Sequence, residues 1–158
     1  MAIGTNDTIH KFGTQTQITA SGPGAVSSGS FSVAGDVNDW TNSDDAPFAA
    51  FVLVLQDLSA APSAGEVINL YAKPLNIVNT TGDHQGPNSN VPTIYLGSFA
   101  VDTVDPAATD DNYALGPVAL PNTKSGQEYE FYIENATSVG IDAADWELWI
   151  TPVTYGPA

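Results

Sequence analysis

The chain contains no cysteine and no arginine, and Lys plus Arg together number only 3. Without cysteine there is no disulfide framework and no thiol chemistry. Without clustered Lys and Arg there is no footprint for a phosphate backbone, so nucleic-acid binding is not expected. An anionic membrane surface is disfavoured for the same reason. No apolar run approaches the roughly 20 residues that span a bilayer as a helix. No segment sustains a helical period. The opening MAIGTNDTIHKFG lacks the apolar core of a secretory leader, so synthesis in the cytoplasm is expected. Catalytic signatures are missing too: there is no GxSxG elbow, no P-loop and no HExxH, and His10 and His84 stand far apart. No enzyme and no cofactor are expected from this pattern.

What is present is a β pattern. The chain has 158 residues, 42% hydrophobic and 13% charged, with 14 glycines and 11 prolines spread along it as turns. That is a globular composition. The longest apolar run is Pro47 to Gln56, PFAAFVLVLQ. Neither of its alternate sets is polar, so it reads as a central strand covered on both faces, at least in its second half. Strands are expected at Phe31–Val33, Glu66–Leu75, Thr93–Asp102, Tyr113–Leu120, Gln127–Asn135 and Trp146–Val153. The last two alternate clearly. Tyr129, Phe131 and Ile133 in one, and Trp146, Leu148 and Ile150 in the other, form the core faces. Pro47–Gln56 and Glu66–Leu75 read as an antiparallel pair across a short turn. Gly97 suggests a bulge, and Gly116-Pro117 suggests an edge strand. The expected fold is all-β, an antiparallel two-sheet sandwich in jelly-roll form, with residues 29–158 as its body.

Residues 1–28 differ in composition. They are rich in Gly, Ser, Thr and Ala, and their large apolar side chains are widely spaced. Ordering a residue costs roughly 1–2 kcal/mol of backbone entropy, which this segment has little apolar surface to offset. It reads either as a floppy tail or as an extended arm that orders on a neighbouring subunit, anchored by Ile9, Phe12 and Ile18. Net charge is −15, which favours solubility. The acidic groups around Asp36, Asn38, Asp39, Asp44 and Asp45, and around Asp110–Asn112, contain enough oxygen for calcium, but turn chemistry explains them equally well. Three Asn-x-Ser/Thr matches, at Asn6, Asn79 and Asn135, are expected to be chance. Aromatics on the outward faces of strands are the most informative feature. Tyr132 and Trp149 are expected to point outward, and to be neighbours if their strands pair; Tyr71 and the loop residue Trp40 join them as contact candidates. Such residues suit a subunit interface or a sugar-stacking platform.

In layout, GTNDTIHKFGTQTQIT, the Phe-Ser-Val strand, WTNSDDAPFAAFVLVLQ, VINLYAKPLN, LGSF, FYIENAT and the closing WELWITP together resemble small virion structural proteins of tailed bacteriophages, capsid decoration (cement) proteins among them. The resemblance rests on overall layout and covers most of the chain. It implies a protein without catalytic residues, located in the virion on the capsid surface. Its implied partner is the major capsid protein, whose neighbouring subunits it bridges, and it is expected to self-associate, with a trimer favoured. A carbohydrate-binding, adhesin-like sandwich and a tail or neck component are the competing expectations.

Overall fold

The computed structural model describes residues 8–56, 58–75, 93–101, 111–121 and 126–157. Among them there is no helix. Nine strands run β1 (Thr8–Phe12), β2 (Thr16–Gln17), β3 (Trp40–Asn42), β4 (Phe48–Leu55), β5 (Val67–Leu75), β6 (Ile94–Ala100), β7 (Asp111–Ala119), β8 (Gln127–Asn135) and β9 (Trp146–Pro157). They form two antiparallel sheets packed face to face, a β-sandwich. The first has the order β1-β9-β4-β7, with β2 also on the edge of β9, and the second has the order β3-β8-β5-β6. If β1 and β2 count as one interrupted strand, the sheets read 1-8-3-6 and 2-7-4-5.

The core follows the alternation seen in the sequence. Phe51, Leu53, Leu148 and Ile150 from the first sheet meet Leu70, Phe131 and Ile133 from the second, all buried. Phe51 and Phe131 cross the interlayer gap edge to face, with ring centroids 5.2 Å apart. The largest core side chain, Trp146, has its indole N–H satisfied by the Gly24 carbonyl at 2.9 Å, as a buried donor requires. Bulges mark the edges. Between β5 and β6 the register slips beside Gly97. A Cβ on Gly97 would lie 2.8 Å from Leu115 Cδ1, so glycine lets the edges of the two sheets approach. Between β4 and β7 the register slips opposite Gly116-Pro117.

Three expectations need correction. First, the two strands read as a hairpin do not pair. β4 pairs with β7 and β9, and β5 pairs with β6 and β8, so the connection between them crosses from one sheet to the other. Short spacing cannot tell a hairpin from such a crossing.

Second, residues 8–28 are not an arm awaiting a neighbour. β1 lies against residues 153–157 of β9, and β2 against Trp149 and Ile150. Ile18 is 3% exposed and Val26 is fully buried in the common core. The Ile18 N–H donates to the Leu148 carbonyl at 2.9 Å, and the Leu148 N–H donates to Thr19 Oγ1. Counting apolar side chains missed this because an edge segment is held largely by main-chain hydrogen bonds, which composition does not record. Residues 1–7 lie outside the described residues.

Third, Trp40, expected in a loop, opens β3, which pairs with β8, whereas Phe31–Val33 supplies only a bridge from Phe31 to Glu134. Asn42 closes the β3–β4 turn by accepting from the Ala46 N–H at 2.8 Å and donating to its carbonyl at 2.9 Å.

Candidate functional site

β4 lies between β9 and β7 and is apolar on both faces. Its inward set, Ala49, Phe51, Leu53 and Leu55, is buried, and its outward set, Phe48, Ala50, Val52 and Val54, is only half-buried. The expectation that this run is covered on both faces therefore holds for one face of the single chain. At the Phe48 end the outer surface is aromatic. Phe48 packs edge-on to Tyr155 at 5.5 Å, and Tyr155 contacts the His10 ring at 4.9 Å. Phe12, from the same set of β1 as His10, is 61% exposed, and Tyr155 is 49% exposed. Val153, opposite both Phe12 and Phe48 in register, is buried.

About 13–20 Å along β4 from Phe48, at ~3.3 Å per residue, the same face changes character. Val52 and Val54 floor a shallow depression of ≈ 270 Å³, and Trp149 stands beside them. The Trp149 indole N–H donates to the Glu147 carboxylate at 2.9 Å, which fixes the ring. Gln15, Gln56 and Asn112 complete the rim. Along β4 and β9, Glu147 is the one carboxylate on this outer face. Charge stands at the margin of the aromatic end, where Lys11 and Asp44 line a hollow with Phe12.

The outer face of the second sheet is polar, and around Glu134 its side chains bond one another. Tyr71 OH donates to Glu134 Oε2 at 2.8 Å, and Asn69 Nδ2 donates to the same oxygen at 2.9 Å. Ser98 Oγ donates to Asn69 Oδ1 at 2.6 Å, and Tyr95 and Ser98 share a hydrogen bond of 2.6 Å. Partial burial, then the hydrogen bond and charge of Glu134, push the Tyr71 phenol up to about 12. Tyr71 also meets Phe31 and Tyr95 edge-on. Further along, Lys73 and Glu130 are buried and form an ion pair at 3.9 Å. Burial and then the Glu130 carboxylate push the Tyr132 phenol far above its ordinary range.

The candidates named from sequence thus separate. Tyr132 lies on the outward set of β8 as expected, but it is buried there, because at this point that set is a sealed cluster of Glu130, Lys73 and Tyr132. Tyr132 and Trp149 lie on different sheets and are not neighbours. Ile18 belongs to the chain's own core. Trp40 is half-buried at the core margin, 6.0 Å from Tyr129 and 6.4 Å from Phe131. Ile9 and Tyr71 are half-buried. Phe12 and Trp149 share the outer face of the first sheet. Sequence reasoning missed Phe48, Tyr155 and His10 as members of this surface. The doubly apolar β4 was the available signal for Phe48; nothing local marks the other two.

The acidic groups are largely turn chemistry. The two Asp36 carboxylate oxygens accept the Gly24 and Val33 N–H groups, each at 2.8 Å, and Asp45 takes a left-handed φ of 52°. Among the described residues no group of three or more His, Cys, Asp or Glu is placed to hold a metal ion. Asp110 and His84 lie outside them. Asn135, in one of the glycosylation matches, is buried, with Nδ2 donating to the Val26 and Val139 carbonyls. Comparison with protein-family models, with characterised proteins and with solved structures returns no match.

Proposed function

We propose that this chain is a non-enzymatic structural protein of a tailed-phage virion, a decoration or cement protein that docks on the outer capsid surface and bridges neighbouring capsid subunits. The observation that carries the reading is the aromatic end of the first sheet. Phe12, Phe48, Tyr155 and His10 gather with no carboxylate from β4 or β9 among them, and the charges of Lys11 and Asp44 stand at the rim beside Phe12. Interfaces are enriched in aromatics and depleted of charge at their centres. The gripping element is then a sheet face, not the terminal arm first expected. The strand order supports reading the sandwich as a jelly roll, a common virion architecture. Self-association, with a trimer favoured, multiplies weak contacts through avidity. Burial of the patch contributes roughly 25 cal/mol per Å2 of apolar area.

The test is quantitative imaging and mass spectrometry of particles from cells expressing the chain at its native locus. A capsid role requires many copies per particle at regular positions on the head. A few copies at the tail or neck shift the assignment to those structures, and a chain that stays wholly outside particles refutes a virion role.

A further inference from the structure

The depression beside Trp149 has a chemistry that docking on a protein surface does not require. Gln15, Gln56 and Asn112 line it, and among the described residues none of their side-chain amides has a hydrogen-bond partner. Of the other carboxamides among the described residues, Asn42 and Asn135 are buried and bonded, Asn38 reaches the Thr19 carbonyl, Asn69 serves a network and Gln127 Nε2 donates to two carbonyls, while exposed Gln17 is uncommitted. Three uncommitted amides, each able to donate and accept, therefore converge on one hollow with an apolar floor. Its wall is an indole held by Glu147. No Lys, Arg or His lines it, and its one ionisable group is a carboxylate. That charge disfavours phosphate, sulfate and carboxylate ligands. The ≈ 270 Å³ volume lies just below the roughly 300–1,000 Å3 of sites for drug-sized ligands.

We infer that this hollow is a subsite for one neutral pyranose ring of a glycan, its C–H face stacked on Trp149 and Val52 and its hydroxyls bonded by Gln15, Gln56, Asn112 and the Glu147 carboxylate. A sugar is the ligand class that offers an apolar face and a ring of paired donors and acceptors without charge. Amide side chains match such hydroxyls in either sense. The Trp149 N–H already bound to Glu147 leaves the indole face as the stacking surface. This activity is separate from capsid docking, because the hollow begins four residues from Phe48 along β4, ~13 Å away.

The test is ligand-observed saturation-transfer NMR on the full chain. The probes are glucose, galactose, mannose and N-acetylglucosamine, with maltose, lactose, cellobiose and chitobiose. The inference expects transfer to at least one probe, strongest at the C–H protons of a single ring face. Asn112→Ala and Gln56→Ala should each weaken binding about 3–10-fold, the value of one hydrogen bond, and Trp149→Ala should abolish it. Asn112 and Gln56 are at the rim, so their variants stay folded if Trp149→Ala does not. Tyr95→Ala, on the other sheet, should leave binding unchanged. Absence of transfer from every probe at about 20 mM, above the millimolar range of a weak single-ring site, overturns the inference. So does binding that both rim variants leave intact, or a hollow that takes free indole or phenol but no sugar. None of these results bears on particle occupancy, so the two readings fail separately.

Discussion

If the N-terminal segment is part of the sandwich, Ile18→Ala must cost core stability. Ile18 is 3% exposed and belongs to the central cluster. Truncating a buried isoleucine to alanine costs roughly 2–5 kcal/mol, and ~3 kcal/mol suits a residue at the margin of the sheet. With a urea m-value of about 2 kcal/mol/M, the midpoint should fall by about 1.5 M. Removing residues 1–19 should cost more, since it also strips Leu148 of the backbone and hydroxyl partners supplied by Ile18 and Thr19. An orphaned buried polar group adds roughly 1–3 kcal/mol. The sum, ~5 kcal/mol, is comparable to the whole stability of a marginal domain, about 5–15 kcal/mol. Urea titration followed by tryptophan fluorescence reads both variants, with exposed Phe12→Ala as the control. A midpoint shift below about 0.25 M for Ile18→Ala, corresponding to ~0.5 kcal/mol, would refute the reasoning and restore a free arm.

Other variants probe other layers. Lys73→Met deprives the buried Glu130 of its cation and should destabilise by roughly 3–5 kcal/mol in the same titration; a neutral result would mean the pair is dispensable. Gly97→Ala drives a Cβ to within 2.8 Å of Leu115 Cδ1 and should cost roughly 1–3 kcal/mol, a penalty that Leu115→Ala in the same chain should partly relieve by double-mutant cycle. Tyr71, with its phenol raised to about 12, contributes stability that is complete below the ordinary tyrosine value near 10 and is lost as pH rises towards 12. Thermal midpoints should therefore fall across that window, and less steeply in Tyr71→Phe.

The sandwich was legible because β8 and β9 alternate without interruption, so Tyr129, Phe131, Ile133, Trp146, Leu148 and Ile150 could be placed in the core from period alone. Sheet membership was not legible. β4 and β5 are neighbours in sequence yet lie in different layers, and both partners of β4, and β8 as a partner of β5, are more than fifty residues away. Thr8–Gln17 failed for a different reason: its order comes from main-chain bonds to β9, which leave no compositional trace. Tyr132 illustrates the limit of alternation. A position on the outward set faces water only if nothing else needs sealing, and Glu130 with Lys73 made that site a buried one. Phe12 and Trp149 were recognised singly, but the surface they share depends on β1, β9 and β4 being side by side.

If the outer face of the first sheet is where this molecule meets its neighbours, charge placed on that face must release it from particles. Phe12 is exposed, so Phe12→Asp should alter folding stability by only about 0.5 kcal/mol. Tyr155→Asp also loses ring contacts to Phe48 and His10 and should cost about 1–3 kcal/mol, so urea titration first establishes that the double variant is folded. The decisive measurement is the number of copies of this double variant carried by purified particles, set against the wild-type chain. Near-complete loss from particles by a fully folded variant is the predicted result; occupancy equal to wild type would contradict it.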